Sequence, residues 1–428
     1  LTLYNSDMRL SMACVCLLLA TATAQNPVRS PQQTDQSSVT VPMTLDHNRV
    51  MIDVEIPQPD GANKRVQGWV NNGDPDQRMS QNVAAAMGLS ISCDGQVCSG
   101  KPNPQTAPFE LLIGGMRIRL STTKEIKISS GAATIAPGTH AQINIPSAVL
   151  RNYDVLIDFP GRELTIAEPG SIRFNGAGNK VQIDPGSGRI RVPSQIENKK
   201  YNLALDLGSP ISSLSGELFD KLAGAHPDWP HMTGAIGPAN LSGEQDELNL
   251  KLMRLDRIQF GSLHLIDVPV AKSPTDRTAN FQQQAGAGTI GLLGADVLLN
   301  YRVGIDHAHS MLYFDIGRTS SFPEFDVVGL TLRPDNDRGF TVVAVAEFNG
   351  KSSVPNVQLG DQLTAVDEIP VISSTMGQVW AMLRGSPGQE RKLTIERGGK
   401  QLTIVANVEH FLAAAPDDDE HKHNRSGH

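Results

Sequence analysis

The sequence predicts a mainly β protein: two similar lobes forming a double β-barrel by internal duplication, followed by a small α+β domain. Three observations carry this reading. Strand-like runs are short and closely punctuated, and the 428 residues include 39 Gly and 27 Pro, a pattern that favours strands over long helices. A stretch beginning at Ala148 recurs from Asp296. A break near Ser320 to Pro323 then opens a region of different patterning.

The repeat is the strongest of the three. AVLRNYDVLIDFPGRELTI and DVLLNYRVGIDHAHSMLYF align without a gap at an offset of 148 residues. Val149, Leu150, Asn152, Tyr153, Val155, Ile157, Asp158 and Leu164 meet Val297, Leu298, Asn300, Tyr301, Val303, Ile305, Asp306 and Leu312. Upstream, Ile113-Gly114-Gly115-Met116 meets Phe260-Gly261-Ser262-Leu263. Further upstream, WVNNGDPDQRMSQNVAAAMG from Trp69 meets ALDLGSPISSLSGELFDKLA from Ala204 at an offset of 135. The second copy therefore carries a longer insertion, about residues 224–250, expected as a loop overhanging a cleft between the lobes.

The elements follow in order. Met8-Arg9, the apolar run Ala13 to Ala20 and the small residues Ala22-Thr23-Ala24 read as an export signal over 1–24, starting at Met8. That run is too short to span a bilayer, and no second one has membrane length, so no stable membrane span is expected. The expected location is the periplasm or the exterior. Residues 25–38 are polar and read as a disordered leader. The first lobe is expected over 39–168, ending at Glu168-Pro169-Gly170, with a Gly- and Asn-rich break after it. The second lobe is expected over 185–317, the α+β domain over 325–412, and an acidic, His-containing disordered tail over 413–428. The net charge is −8 and no basic stretch tracks phosphates, so nucleic acid is not an expected partner.

Of four cysteines, Cys14 and Cys16 lie within the signal. Cys93 and Cys98 flank Asp94-Gly95, a tight-turn pair, and read as a hairpin disulfide in an oxidising compartment. A two-thiolate metal clip lacks two further ligands nearby.

In the second copy the apolar run Asn202-Leu203-Ala204-Leu205 leads into Asp206-Leu207-Gly208-Ser209. Ile290-Gly291-Leu292-Leu293-Gly294 follows downstream. This resembles the aspartic peptidases, retropepsin-like and pepsin-like alike, across about residues 39–317. The resemblance implies that each lobe presents an Asp at the floor of a cleft, with an apolar-apolar-Gly segment beneath. Two facing carboxylates then share a proton, one acting as base toward water and the other as acid toward the substrate. It implies peptide-bond hydrolysis, a polypeptide substrate and no cofactor.

The first copy departs from that pattern. Val70-Asn71-Asn72-Gly73 stands where the family has Val-Asp-Thr-Gly, so Asn71 occupies the catalytic Asp position. A carboxamide neither gains nor loses a proton in the working pH range. Asp206, freed of a like-charged neighbour, is expected to ionise more easily than a member of an Asp pair and to remain a lone acceptor. The Thr that bonds across the lobes is replaced by Asn72 and Leu207, and Pro146 stands where the second copy has Gly294. Gly73 and Gly208 are expected for a sharp turn, and Ser209 for orienting Asp206. Asp74 and Asp76 lie near enough in sequence to be considered as substitutes, and geometry argues against them. Asp158 and Asp306 read as turn-forming residues.

The third region contains GDQLTAVD from Gly360, a helical stretch from Met376 to Leu383, and Gly398-Gly399 as a hairpin turn. It resembles a bacterial-type PDZ domain. That resemblance implies a peptide added as an extra strand along Gly329, Leu330, Thr331 and Leu332, with capture of its terminal carboxylate. The alternative is a packing module docked on the lobes.

Together these readings predict an exported aspartic-peptidase-type pseudoenzyme. Its degraded dyad, Asn71 and Asp206, binds polypeptide without efficient cleavage. The alternative is an active endopeptidase working through Asp206, with the last domain recruiting substrate.

Overall fold

The computed structural model describes residues 37–58, 61–95, 97–102, 109–120, 125–129, 134–273, 288–316, 325–335 and 338–413. The expected export signal, nearly all of the leader and all but the first residue of the tail lie outside these residues. Among the described residues, strands dominate and helices are short.

The two lobes meet in a six-stranded antiparallel sheet. Its order is Ser38–Pro42, Glu163–Ala167, Asp154–Asp158, Tyr301–Asp306, Met311–Ile316, Ala177–Lys180. The first three strands come from the first lobe and the last three from the second. At the seam Asp154 faces Asp306, Leu156 faces Gly304 and Asp158 faces Arg302. Leu156 and Gly304 stand 148 residues apart, the offset of the sequence repeat, so the local two-fold of the seam passes through this pair. The apolar alternation explains the burial. Val155, Ile157, Val303 and Ile305 point into one core shared by both lobes.

Each lobe adds its own sheet. In the second lobe the strands Ile190–Ile196, Lys199–Leu205, Thr289–Leu293, Ser213–Ser215, Leu263–Ser273 and Lys251–Phe260 pair in turn. The last also pairs with the first, which closes a barrel. The first lobe has the corresponding Arg49–Pro57, Asn63–Asn71, Ile143–Pro146 and Arg78–Ser80 in the same relative order. Even the helix starts match. Ser80 accepts from Val83 N–H, and Ser215 accepts from Leu218 N–H, each capping the helix after the motif.

Two stretches differ from expectation. The Gly- and Asn-rich break after residue 168 holds the strands Ala177–Lys180 and Gln182–Ile183, so the second lobe begins before residue 185. Asn179 supplies the reason: its amide nitrogen donates to Leu312 O (3.2 Å) and Ser262 Oγ (3.0 Å), anchoring a polar segment to the sheet. The insertion about residues 224–250 is not a plain loop. It contains the strand His231–Thr233, a turn of 3-10 helix Gly237–Ala239 and the helix Gln245–Leu248.

The last domain forms a sheet in the order Leu330–Asp335, Gly339–Val345, Gln362–Val366, Glu390–Arg397, Lys400–Asn407. The helix Met376–Leu383 carries a complete capping box from Thr375 and Gln378. This domain shares its core with the second lobe. Ile211, Ala235, Ile236, Ala239, Leu252 and Ala271 pack in one cluster with Leu330, Leu332, Val379 and Leu383.

Candidate functional site

Two strand ends bring the motif residues together. The strand Asn63–Asn71 ends at Asn71, and Lys199–Leu205 ends one residue before Asp206. A parallel strand runs beside each: Ile145 is level with Val70, and Leu293 with Leu205. Both loops are tied down alike. Ser147 N–H donates to Asp74 O (3.0 Å), and Ala295 N–H to Ser209 O (2.9 Å). Pro146 therefore leaves this tie intact, because the donor is the following residue. What it lacks is the bond that Gly294 N–H makes to Ser212 Oγ (3.0 Å).

The two motifs interlock. A methyl group on Gly73 would lie 2.0 Å from the Asp206 carboxyl carbon, and one on Gly208 would lie 2.2 Å from Asn71 Oδ1. Neither glycine has a positive φ. The need for Gly at both positions is close approach, not the sharp turn that the sequence suggested.

The motif oxygens play parallel parts. Asp206 Oδ1 accepts Gly208 N–H (3.0 Å) and Ser209 N–H (3.1 Å), while Asn71 Oδ1 accepts Asp74 N–H (3.2 Å). The other end of the Asn71 carboxamide is Nδ2, a donor only. Ser209 orients Asp206 through its backbone, since its hydroxyl donates to Ile211 O (2.8 Å). The cross-lobe bond survives from one side. Asn72 Nδ2 donates to Leu205 O (3.0 Å) and Asn72 Oδ1 accepts Leu207 N–H (2.7 Å). One carboxamide thus holds both a donor and an acceptor of the other lobe, and Leu207 is fully buried.

Burial pushes the Asp206 carboxyl up to about 6, against the pull of Gly208 N–H and Arg189. Desolvation, not a like-charged partner at Asn71, is the main cause of the rise. Asp74 raises it slightly further but is no substitute acid, since its carboxylate is held by Arg78 Nε at 2.7 Å. Asp76 is held by Lys127 at 2.6 Å. Asp158 and Asp306 each accept the N–H three residues on, from Gly161 (2.7 Å) and His309 (2.9 Å), as turn-formers do.

Three functional-site residues escaped the motif reading. Arg49 and Arg189 are buried and both interact electrostatically with Asp206. The signal was strand register. Met51 faces Trp69 and Ile190 faces Leu205; continuing each hairpin brings Arg49 level with Asn71 and Arg189 level with Asp206. The third is Asp296, whose carboxylate accepts Ser212 N–H (3.1 Å) and Ser212 Oγ–H (2.9 Å). Burial raises it to about 7. Beside the Asp206 loop lies a cavity of about 210 Å3, lined by Ser209, Ile211, Leu241, Glu247, Leu250 and Leu292 among others.

The expected peptide-binding segment lies at the edge of the last sheet, and its polar groups are engaged. Val328 N–H donates to Leu383 O (3.0 Å) and Leu330 N–H to Val328 O (2.8 Å). Gly329 has no room for a side chain, since a methyl group there would lie 2.3 Å from Ser353 Oγ. Thr331 Oγ1 donates to Ala235 O. Leu332 N–H donates to Asn240 Oδ1 (2.8 Å), and Leu332 O accepts from Asn240 Nδ2 (2.9 Å). Cys93 and Cys98 face each other in a hairpin and form a disulfide.

Residues 327–408 match the PDZ domain model. This last domain is a PDZ domain. No curated protein matches the chain in sequence. Among solved structures that match is the aspartic proteinase from Irpex lacteus, 12% identical, covering 66% of this chain and 98% of its own, with a TM-score of 0.39. Among the described residues no group of three or more His, Cys, Asp or Glu is placed to hold a metal ion, and no helix is long and apolar enough to cross a membrane.

Proposed function

We propose that this is an exported, aspartic-peptidase-type protein whose cleft holds polypeptide without cutting it efficiently. One observation carries the reading: the two motifs interlock, Asn71 against Gly208 and Asp206 against Gly73, so a carboxamide stands where a second carboxyl is required, while Asp74 and Asp76 are tied to Arg78 and Lys127. Hydrolysis needs one group to take a proton from water and another to give one to the departing amine. Asp206 fills one of these roles at a time. Absence of a positioned acid–base partner costs about 10²–10⁴ in rate, and more where two groups act as a unit. Asn71 Nδ2 can still donate to a substrate carbonyl, which favours binding. The cavity beside Ser209 has the volume for an apolar side chain.

The alternative is a slow endopeptidase, and one observation favours it. A carboxyl titrating at about 6 is suited to proton transfer near neutrality.

The test incubates the mature protein with a denatured polypeptide from pH 4 to pH 8, beside Asp206→Ala and Asn71→Asp. The expected outcome is binding without fragments in the unmodified protein, and fragments that appear only in Asn71→Asp. Cleavage by the unmodified protein that disappears in Asp206→Ala would overturn the proposal.

A further inference from the structure

A PDZ domain receives a peptide in the groove between an edge strand and a helix. Here these are the strand Leu330–Asp335 and the helix Met376–Leu383. The groove is already filled. Gly237 and Asn240 from the insertion line it together with Leu330, Leu332, Trp380 and Leu383. About 10 Å3 remains, roughly the threshold for a single water. Asn240 meets both the N–H and the C=O of Leu332, the pair of bonds that a neighbouring strand would make. His47, from the first lobe, packs tilted against Trp380 with ring centroids 5.2 Å apart, bonds to Pro238 O at 3.1 Å, and is a further wall of the groove.

The same insertion reaches the cavity beside Asp206. Glu247 organises it: its carboxylate accepts Leu241 N–H (3.0 Å), Ser242 N–H (2.9 Å), Ser242 Oγ–H (2.8 Å) and Gly243 N–H (3.0 Å). It also accepts from Asn240 Nδ2 (3.1 Å), the nitrogen that donates to Leu332 O. Leu241, Glu247 and Leu250 line the cavity. One short segment is therefore both the plug of the PDZ groove and a wall of the cavity.

We propose that the insertion is the built-in occupant of the PDZ groove, and that an extended peptide enters only by displacing it, which opens the cavity beside Asp206. The incoming strand supplies one backbone N–H and one C=O to Leu332 in place of the Asn240 amide, so the hydrogen bonds are exchanged rather than lost. Its side chains then compete with Gly237 and Asn240 for the space against Trp380 and Leu383. This inference concerns the groove and the insertion, and stands or falls separately from whether Asp206 cuts.

The test is hydrogen–deuterium exchange on the full chain, read by mass spectrometry, in the unmodified protein, Asn240→Ala and Thr331→Val. Thr331→Val loses one buried bond and Asn240→Ala three, and exchange is expected to speed by about tenfold or more in both the strand Leu330–Asp335 and residues 237–250. The strands Ile190–Ile196 and Glu390–Arg397 should not change. A labelled peptide copying residues 234–242 is expected to bind Asn240→Ala about tenfold more tightly than the unmodified chain, since the groove is then less occupied. Acceleration confined to the strand, no acceleration, or equal peptide binding by the two proteins overturns the proposal. Should Asn240→Ala lose its fold, seen as acceleration everywhere, Thr331→Val carries both measurements.

Discussion

Asn71 and Asp206 have side chains of nearly one shape, and what separates them is how each responds to a proton. Asp206 is desolvated in its loop, so its carboxyl holds a proton up to about 6. Arg189 limits that rise. Arg189→Gln is expected to move the Asp206 carboxyl above about 6, followed by carbon-13 NMR titration of labelled Asp; an unchanged titration would refute a role for Arg189 in tuning the site. The Asp206-Leu207-Gly208 motif was legible in sequence because its residues are adjacent. Arg49 and Arg189 were not, because they reach the site across a hairpin, and register is set by turn geometry and burial rather than by a local pattern.

At the scale of elements, the strand ends are held by Asn72. Replacing it with Ala leaves Leu205 O and Leu207 N–H buried without their partner. Each orphaned group costs about 1–3 kcal/mol, so Asn72→Ala is expected to lower stability by about 2–6 kcal/mol, read by urea unfolding. The interlocked strand ends were predictable from the duplicated motif, since apolar alternation and a fixed offset survive in the sequence. The insertion was less so. Its Pro and Gly residues signal breaks, and their expected destination was the cleft. Leu241, Glu247 and Leu250 do line the cavity beside Asp206, but Asn240 and Thr331 also tie the insertion to a domain almost a hundred residues on, a tertiary contact that no local pattern announces. The helix Met376–Leu383, by contrast, has the bounds expected from sequence, and in the structure Thr375 and Gln378 cap its start.

For the whole molecule, buried titratable groups set how stability follows pH. Asp296 is raised by burial from an ordinary 3.8 to about 7. The folded chain therefore binds a proton there that the unfolded chain releases, between about pH 4 and pH 7. This contribution is full below the lower value and is lost as pH rises through the upper one. His47 acts in the opposite sense, since burial holds its imidazole neutral down to about 3. Asp296→Asn leaves His47 untouched and isolates the carboxyl. The unmodified protein is expected to lose stability relative to this variant as pH rises from 4 to 8. A gap between the two melting curves that stays constant with pH would refute the assignment. The PDZ domain bears on the same scale. Its core runs without interruption into the second lobe through Ile211, Ile236 and Leu252, so it is part of the body that positions the cleft.

The seam at Leu156 and Gly304 has a mechanical consequence. Hinged jaws open by bending a connector, but here the connector is an unbroken hydrogen-bonded ribbon to which each half contributes equally. Such a ribbon resists splaying. Under the proposed function, adaptation to guests of different girth then falls to the segments around the mouth, while the spacing of Asn71 and Asp206 stays constant like the gauge of a rail.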